Sequence, residues 1–245
     1  MLAVLGGSGL AQLSSLEGVR RKTVQTPYGE PSAALSFGRI RGREVMFLAR
    51  HGDGHTIAPH QINYRANIRA IKDAGAKEIV AIATVGGIRR EFGPGALVLP
   101  HQIIDYTWGR ASTFFDAAGT PVTHIDFTEP YSATLRQRIL AAAQACGEAV
   151  AARGVYAATQ GPRLESAAEI DRLERDGADL VGMTGMPEAA LAREAGLEYA
   201  AIAVVVNHAA GRGESAHAIS LARIEVVLAQ AMDRVRRILE QLAAG

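Results

Sequence analysis

The chain contains 245 residues, of which 48% are hydrophobic, and its formal net charge is +1. This length suits one large α/β domain over 1–245, and the balanced charge gives no electrostatic reason to expect nucleic acid or an anionic membrane as a partner. The single cysteine, Cys146, can form no disulfide within the chain, and no apolar run approaches the roughly 20 residues that cross a bilayer, so we expect a cytoplasmic protein.

Short apolar runs alternate with longer amphipathic stretches along the chain. This alternation predicts an α/β fold, with a central sheet flanked by helices on both faces. The predicted strands are 2–5, 45–48, 79–83, 155–159, 180–183 and 200–206. The predicted helices are 63–74, 133–146, 167–176, 188–195 and 221–242, the last with an apolar stripe expected to pack along the body. The irregular region 105–130 is long enough to indicate a functional segment, a subunit contact or both.

The residues that follow the predicted strands are the candidates for a ligand site, because open α/β sheets bind ligands beyond the carboxyl ends of their strands. Glycines, small hydroxyl side chains, arginine and two histidines dominate these positions. Arg50 ends an apolar strand and therefore needs an anionic partner. Three such turns, GGSG at 6–9, TVGG at 84–87 and TG at 184–185, together with Arg50 predict a site for a small oxyanion, with phosphate as the first candidate.

Other kinds of site fit the sequence less well. The GGSG turn is not a dinucleotide fingerprint, since the third glycine would fall at Gln12, and it lacks the Lys-Ser/Thr of a P-loop. His51, His55 and His60 lie close in sequence, but a Gly-Asp-Gly loop separates the first two, so we expect no metal. No Ser-His-Asp or Cys-His arrangement is recognisable.

Several motifs, in order over nearly the whole chain, resemble the methylthioadenosine phosphorylase branch of the trimeric purine nucleoside phosphorylases. They include LARHGDGHTIAPHQINYRANIRAIKDAGA at 48–76, TQGPRLES at 159–166, GMTGMPEAALAREAG at 182–196 and VVVNHAAG at 204–211. The resemblance implies a purine nucleoside phosphorylase-like fold and a homotrimer or dimer of trimers, with no metal or organic cofactor. It also implies cleavage of a purine nucleoside by inorganic phosphate to the free base and a ribose 1-phosphate.

The resemblance assigns roles to individual positions. Those matching phosphate-binding residues are Ser8, Arg50, His51, Thr84, Val85 through its amide, and Thr184. Met183 matches the residue under the ribose, and His124 one that reaches the 5′ end of the sugar across a subunit boundary. Leu164, Glu165, Asn207 and Ala209 match the base-binding residues, with Glu165 and Asn207 as the catalytic pair, while Ile219 and His217 lie near the position that contacts the 5′ substituent.

The base-binding positions depart from the methylthioadenosine branch, whose members present carboxylates at the positions of Asn207 and Ala209 and a small hydroxyl at that of Glu165. An ionised Glu165 can only accept, which suits the N1–H of a 6-oxopurine, while Asn207 can donate to O6 and accept a proton at N7. This pair resembles that of inosine and guanosine phosphorylases and predicts a hypoxanthine-type base. Combined with the overall similarity to the methylthio branch, it predicts 5′-methylthioinosine as the substrate.

Several alternatives stay open at this point. An ordinary inosine or guanosine phosphorylase is the first, because a histidine such as His217 bonds the 5′-hydroxyl in those enzymes, and a methylthioadenosine phosphorylase is the next. A nucleosidase would use water instead of phosphate, and a nucleotide- or anion-binding module would bind without releasing the base. A metal-dependent hydrolase would lose its activity to chelators.

Overall fold

The computed structural model describes residues 1–10, 12–119 and 121–245. Within them, ten strands form one mixed sheet and five helices flank it, which confirms the predicted fold class. The strands are β1 Leu2–Gly6, β2 Glu17–Lys22, β3 Leu35–Ile40, β4 Arg43–Ala49, β5 Glu78–Gly87, β6 Leu97–Val98, β7 Gln102–Asp105, β8 Val155–Ala158, β9 Leu180–Gly182 and β10 Glu198–His208. The helices are α1 Tyr64–Asp73, α2 Ala133–Ala145, α3 Ala167–Arg175, α4 Gly185–Glu194 and α5 Leu221–Ala244. None of these helices is long and apolar enough to cross a membrane.

The sheet branches at β5. Its main order is β2-β3-β4-β1-β5-β9-β8-β7, and β10 runs parallel to β5 along the other edge of that strand. On the edge of β5 opposite β10, β1 pairs with β5 up to Ala81, whereas β9 pairs with it only at Gly86 and Gly87. Residues 82–85 therefore have no strand partner on this edge in the part of the chain that is described. The sheet opens there, beside the carboxyl ends of β1 and β4.

Helices cover both faces of the sheet, as predicted. The core on one face takes Ile68 from α1 and Leu191 from α4, whereas the core on the other takes Ile139 from α2 and Val235 from α5. Side chains from the sequence fix where the helices begin. Asn63, Ser132, Ser166 and Ser220 each accept a backbone N–H in the first turn of α1, α2, α3 and α5 respectively.

Four strands, β2, β3, β6 and β7, were not predicted. All six residues of β2 are exposed and four of them are charged, while β6 and β7 are short, so none of these three shows an apolar run. Other strands are longer than predicted, since β5 extends to Gly87 and β10 to His208. Thr84 and Asn207 therefore lie within strands, not after them. Residues 106–132 contain neither helix nor strand, Thr120 lying outside the described residues, which confirms the irregular region.

Candidate active site

A cavity of about 570 Å³ lies where the sheet opens beside β5. Its walls come from the ends of β1, β4, β9 and β10, from the loop after β8 and from the start of α5. Most of the predicted site residues meet in this cavity although they are far apart in sequence. They are Ser8, Arg50, His51, Thr84, Val85, Leu164, Glu165, Met183, Thr184, Asn207, Ala209 and Ile219.

Two predicted residues do not line this cavity. His124 lies in the irregular region and His217 between β10 and α5, and both side chains are exposed. The predicted role of His124 is in the site of a neighbouring subunit, so it stays a prediction. His217 lies outside the cavity, whereas Ile219, two residues later, lines it.

Arg50 has an anionic partner within the chain, which the sequence did not reveal. The side chain of Arg50 is 1% exposed. The carboxylate of Glu188, on α4, accepts hydrogen bonds from Nε and Nη2 of Arg50 at 2.6 and 2.9 Å. Burial disfavours the charged guanidinium, but the adjacent carboxylate more than compensates, so the pKa of Arg50 is raised. Backbone carbonyls of Ile82 and Leu5 accept two further N–H groups, at 3.0 and 3.4 Å. Of the five N–H donors, one on Nη1 remains for a ligand among the described residues.

The same carboxylate accepts a third hydrogen bond. The hydroxyl of Tyr199 donates to Oε1 of Glu188 at 2.7 Å, and both side chains are buried. Burial and the nearby Glu188 carboxylate raise the pKa of Tyr199, so it stays a neutral donor. The guanidinium of Arg50 is thus fixed by a buried chain of groups beneath the cavity.

His51 contacts the cavity as a neutral imidazole. Its Nδ1 lies 2.8 Å from the carbonyl oxygen of Ile57, which can only accept, so Nδ1 carries the proton and Nε2 is left as an acceptor. Burial, the positive charge of Arg50 and the neighbouring His55 lower the pKa of His51 to about 4, against the raising effect of that hydrogen bond. If His51 contacts phosphate through its ring, it does so by accepting an O–H of hydrogen phosphate.

This shift predicts a pH-dependent loss of stability. The unfolded chain protonates His51 near its ordinary pKa of 6.5, whereas the folded chain does so near 4. Its contribution is therefore complete above pH 6.5 and is lost as the pH falls towards 4, by about 2–3 kcal/mol. We expect urea unfolding between pH 7 and 4.5 to show a smaller loss for His51→Gln than for the unsubstituted chain. His60→Gln, a control at an exposed histidine, should lose as much stability as the unsubstituted chain. The same dependence of the free energy of unfolding on pH in all three proteins would contradict the prediction.

The glycine-rich turn after β1 brings Ser8 to the cavity. A Cβ on Gly7 would lie 2.4 Å from the carbonyl oxygen of Ile82 and 3.0 Å from Nη1 of Arg50, so a side chain there would displace the turn. The Ser8 hydroxyl lies 3.4 Å from Nε2 of His55, which also lines the cavity. On the far side, Thr184 occupies the N-cap position of α4 without capping it, so its hydroxyl stays available to a ligand.

The two predicted base-binding groups lie in the same cavity, each held by one hydrogen bond. Oε1 of Glu165 accepts from the hydroxyl of Thr159 at 2.7 Å. Nδ2 of Asn207 donates to the carbonyl oxygen of His208 at 2.6 Å, which fixes the orientation of the amide. Asn207 thus keeps one N–H donor and its Oδ1 acceptor. This pair of free groups is what the base-binding prediction requires.

A bulge in β10 explains how a core strand delivers this amide. Val205 lies opposite Val85 of β5 but Asn207 lies opposite Gly86, so Val206 is an extra residue in the strand. Such a bulge bends the strand and redirects the side chains that follow it. The strand continues for one more residue, and Ala209 then donates its N–H to the carbonyl of Gly87 at 2.8 Å.

Sequence reasoning did not find Arg110, which organises the edge of the cavity from the irregular region. Its guanidinium donates to the carbonyl oxygens of Gln160 and Met183 at 2.9 Å, of Met186 at 2.5 Å and of Thr159 at 3.3 Å. These carbonyls belong to the segments that carry Glu165, Met183 and Thr184. The length of the irregular region was the only signal that it serves the site.

The first turns of α5 form an apolar wall, which was not predicted. Leu221, Ile224 and Leu228 line the cavity next to Ile219. The apolar stripe packs along the body as expected, but its residues are buried only from Ala231 onwards. Before that point, the stripe is partly exposed and faces the cavity.

The cavity gathers hydroxyls, one arginine and a carboxylate–amide pair at an α/β sheet, which fits an enzyme of the phosphorylase class. The sequence model of the Phosphorylase superfamily matches residues 1–244. The chain belongs to that superfamily.

Named relatives are similar over the whole chain. A protein of Xanthomonas campestris pv. campestris, named probable S-methyl-5′-thioinosine phosphorylase, is 52% identical and covers 100% of this chain and 97% of the relative. A protein of Pseudomonas syringae pv. tomato with the same name is 55% identical, over 99% of this chain and 98% of the relative. The structure of methylthioadenosine phosphorylase from Schistosoma mansoni in complex with adenine has a TM-score of 0.95 at 32% identity, over 99% of this chain and 90% of that one.

Proposed function

We propose that the chain cleaves 5′-methylthioinosine with inorganic phosphate to give hypoxanthine and 5-methylthioribose 1-phosphate. The observation that carries this proposal is the pair of Glu165 and Asn207 in one cavity. A carboxylate accepts from N1–H, while the free N–H and Oδ1 of Asn207 suit O6 and a protonated N7. A 6-aminopurine presents the opposite pattern at N1 and at its 6-position. The names of the two bacterial relatives support the same substrate.

The phosphate side of the cavity fits the chemistry of nucleoside cleavage. The reaction passes through an oxocarbenium-like state, in which positive charge develops on the ribose and negative charge on the purine. Phosphate below the ring supplies the nucleophile and the compensating charge. In this proposal the phosphate is held by the free N–H of Arg50 and by the hydroxyls of Ser8, Thr84 and Thr184. Nε2 of His51 accepts a hydrogen bond from the O–H of hydrogen phosphate.

The 5′ end of the cavity supports a methylthio group over a hydroxyl. Ile219, Leu221, Ile224 and Leu228 offer an apolar wall and His217 lies outside the cavity. A thioether is compatible with such a wall, whereas a buried hydroxyl without a partner is costly. The structure in which methylthioadenosine phosphorylase holds adenine supports a purine in this fold.

We further propose that the enzyme works as a cytoplasmic homotrimer, or a dimer of trimers, without metal or organic cofactor, in purine salvage. Exposed apolar side chains in the irregular region support the association. Trp108 and Val122 are 72% and 81% exposed, and His124 lies in the same region. Large exposed apolar residues of this kind are typical of protein contacts.

A substrate panel tests the proposal. We expect kcat/KM for methylthioinosine to exceed that for inosine by about 10-fold or more and that for methylthioadenosine by about 10³–10⁴-fold. Equal values for methylthioinosine and inosine would instead favour an ordinary inosine phosphorylase. Release of hypoxanthine at the same rate in phosphate-free buffer would replace phosphorolysis by hydrolysis.

A further inference from the structure

The carboxylate of Glu165 is positioned by one hydroxyl, that of Thr159. Oε1 lies 2.7 Å from Oγ1 of Thr159, at the carboxyl end of β8, and both residues are half-buried. A carbonyl oxygen, that of Gly182, lies 3.2 Å from the same Oγ1. A hydroxyl donates one proton only, and the shorter contact to a charged acceptor is the stronger one. The hydroxyl of Thr159 therefore donates its hydrogen bond to Glu165 and not to Gly182.

The backbone of Thr159 is itself fixed, so the direction of its hydroxyl is set by the sheet. Its N–H donates to the carbonyl of Gly182 at 2.8 Å, and its own carbonyl accepts from Arg110 at 3.3 Å. Thr159 is thus held from β9 on one side and from the irregular region on the other. Glu165, by contrast, lies in a loop between β8 and α3, where a long side chain has several rotamers available.

We infer that Thr159 is the positioning residue that orients the Glu165 carboxylate towards the base, an inference that rests on the proposed function. The donated hydrogen bond occupies one carboxylate oxygen and leaves the other for N1–H. Thr159 thus acts on base selectivity through Glu165 without touching the substrate.

A double-mutant cycle tests this inference with methylthioinosine and methylthioadenosine as substrates. Thr159→Val keeps the shape and removes the donor, so we expect kcat/KM for methylthioinosine to fall about 5–20-fold and the preference over methylthioadenosine to narrow. Thr159→Ser should restore both. In a Glu165→Ala background, which already lacks the acceptor for the Thr159 hydroxyl, Thr159→Val should change kcat/KM by less than about twofold.

The control is Thr128→Val, because the hydroxyl of Thr128 also donates to a carboxylate at 2.7 Å, that of Asp126, but outside the cavity. Thr128→Val should leave kcat/KM for methylthioinosine and for methylthioadenosine unchanged. An unaltered base preference in Thr159→Val, or an equal effect of Thr159→Val with and without Glu165, would overturn the inference. If Glu165→Ala itself leaves kcat/KM for methylthioinosine unchanged, the base-binding part of the proposed function fails and the inference with it.

Discussion

Replacing Asn207 by aspartate is expected to lower kcat/KM for methylthioinosine by about 10²–10³-fold, the usual cost of removing one transition-state donor. The carboxylate has the same size but cannot donate to O6. It also cannot donate to the carbonyl of His208, which Nδ2 now contacts at 2.6 Å, so it would be repelled from its present orientation. The change should not create an efficient methylthioadenosine enzyme, because Glu165 still opposes a bare N1.

The measurement is initial rates with both nucleosides at saturating phosphate. Gln230→Glu, the same amide-to-carboxylate change on the exposed face of α5, should retain full activity. Unchanged kcat/KM in Asn207→Asp would remove Asn207 from the base site. A large gain towards methylthioadenosine would show that Glu165 does not discriminate.

Replacing Glu188 by alanine is expected to cost about 3–5 kcal/mol in the free energy of unfolding, because it leaves the buried Arg50 charge without its partner. For a chain of this size that corresponds to a fall of roughly 10 °C in Tm. The KM for phosphate should also rise, since Glu188 orients the guanidinium of Arg50, which lines the cavity.

Urea unfolding at one fixed protein concentration checks the stability, with the exposed Glu225→Ala as the control. Replacing both Arg50 and Glu188 by methionine removes the charges together, and we expect it to recover most of the lost stability. A cost below about 1 kcal/mol for Glu188→Ala, or an equally unstable double replacement, would contradict the ion-pair explanation.

The sequence predicted the helices and six strands because their patterns of apolar residues are local. It also predicted which strand ends meet, because parallel strands bring their carboxyl ends to one edge. It predicted that Arg50 needs an anion, but not that a residue 138 positions away supplies one. Within an amphipathic helix, Glu188 reads as an ordinary surface charge, and only the packed structure shows that it is buried.

Contacts that depend on tertiary register could not be predicted. The bulge at Val206 exists only relative to β5, and nothing in VVVNHAAG distinguishes a bulged strand from a regular one. Thr159 looked like the last residue of a strand, and Arg110 like one charged residue in a loop. Arg110 acts through hydrogen bonds to the carbonyl oxygens of Met183 and Met186, which lie 73 and 76 residues further along the chain. Thr159 acts through its hydrogen bond to Glu165, in the loop that follows it.

The cavity draws its walls from the chain in two unequal ways. Groups assigned to phosphate come from four separate strands or the turns after them, whereas residues 207–228 form one continuous stretch that contributes Asn207, Ala209, Ile219, Leu221, Ile224 and Leu228. Most of this stretch is the connection between β10 and α5 and the exposed start of that helix. The preference for the 5′ substituent, which the apolar wall sets in the proposed function, can therefore change by substitutions within residues 219–228, while the groups that hold phosphate, on other segments, stay as they are.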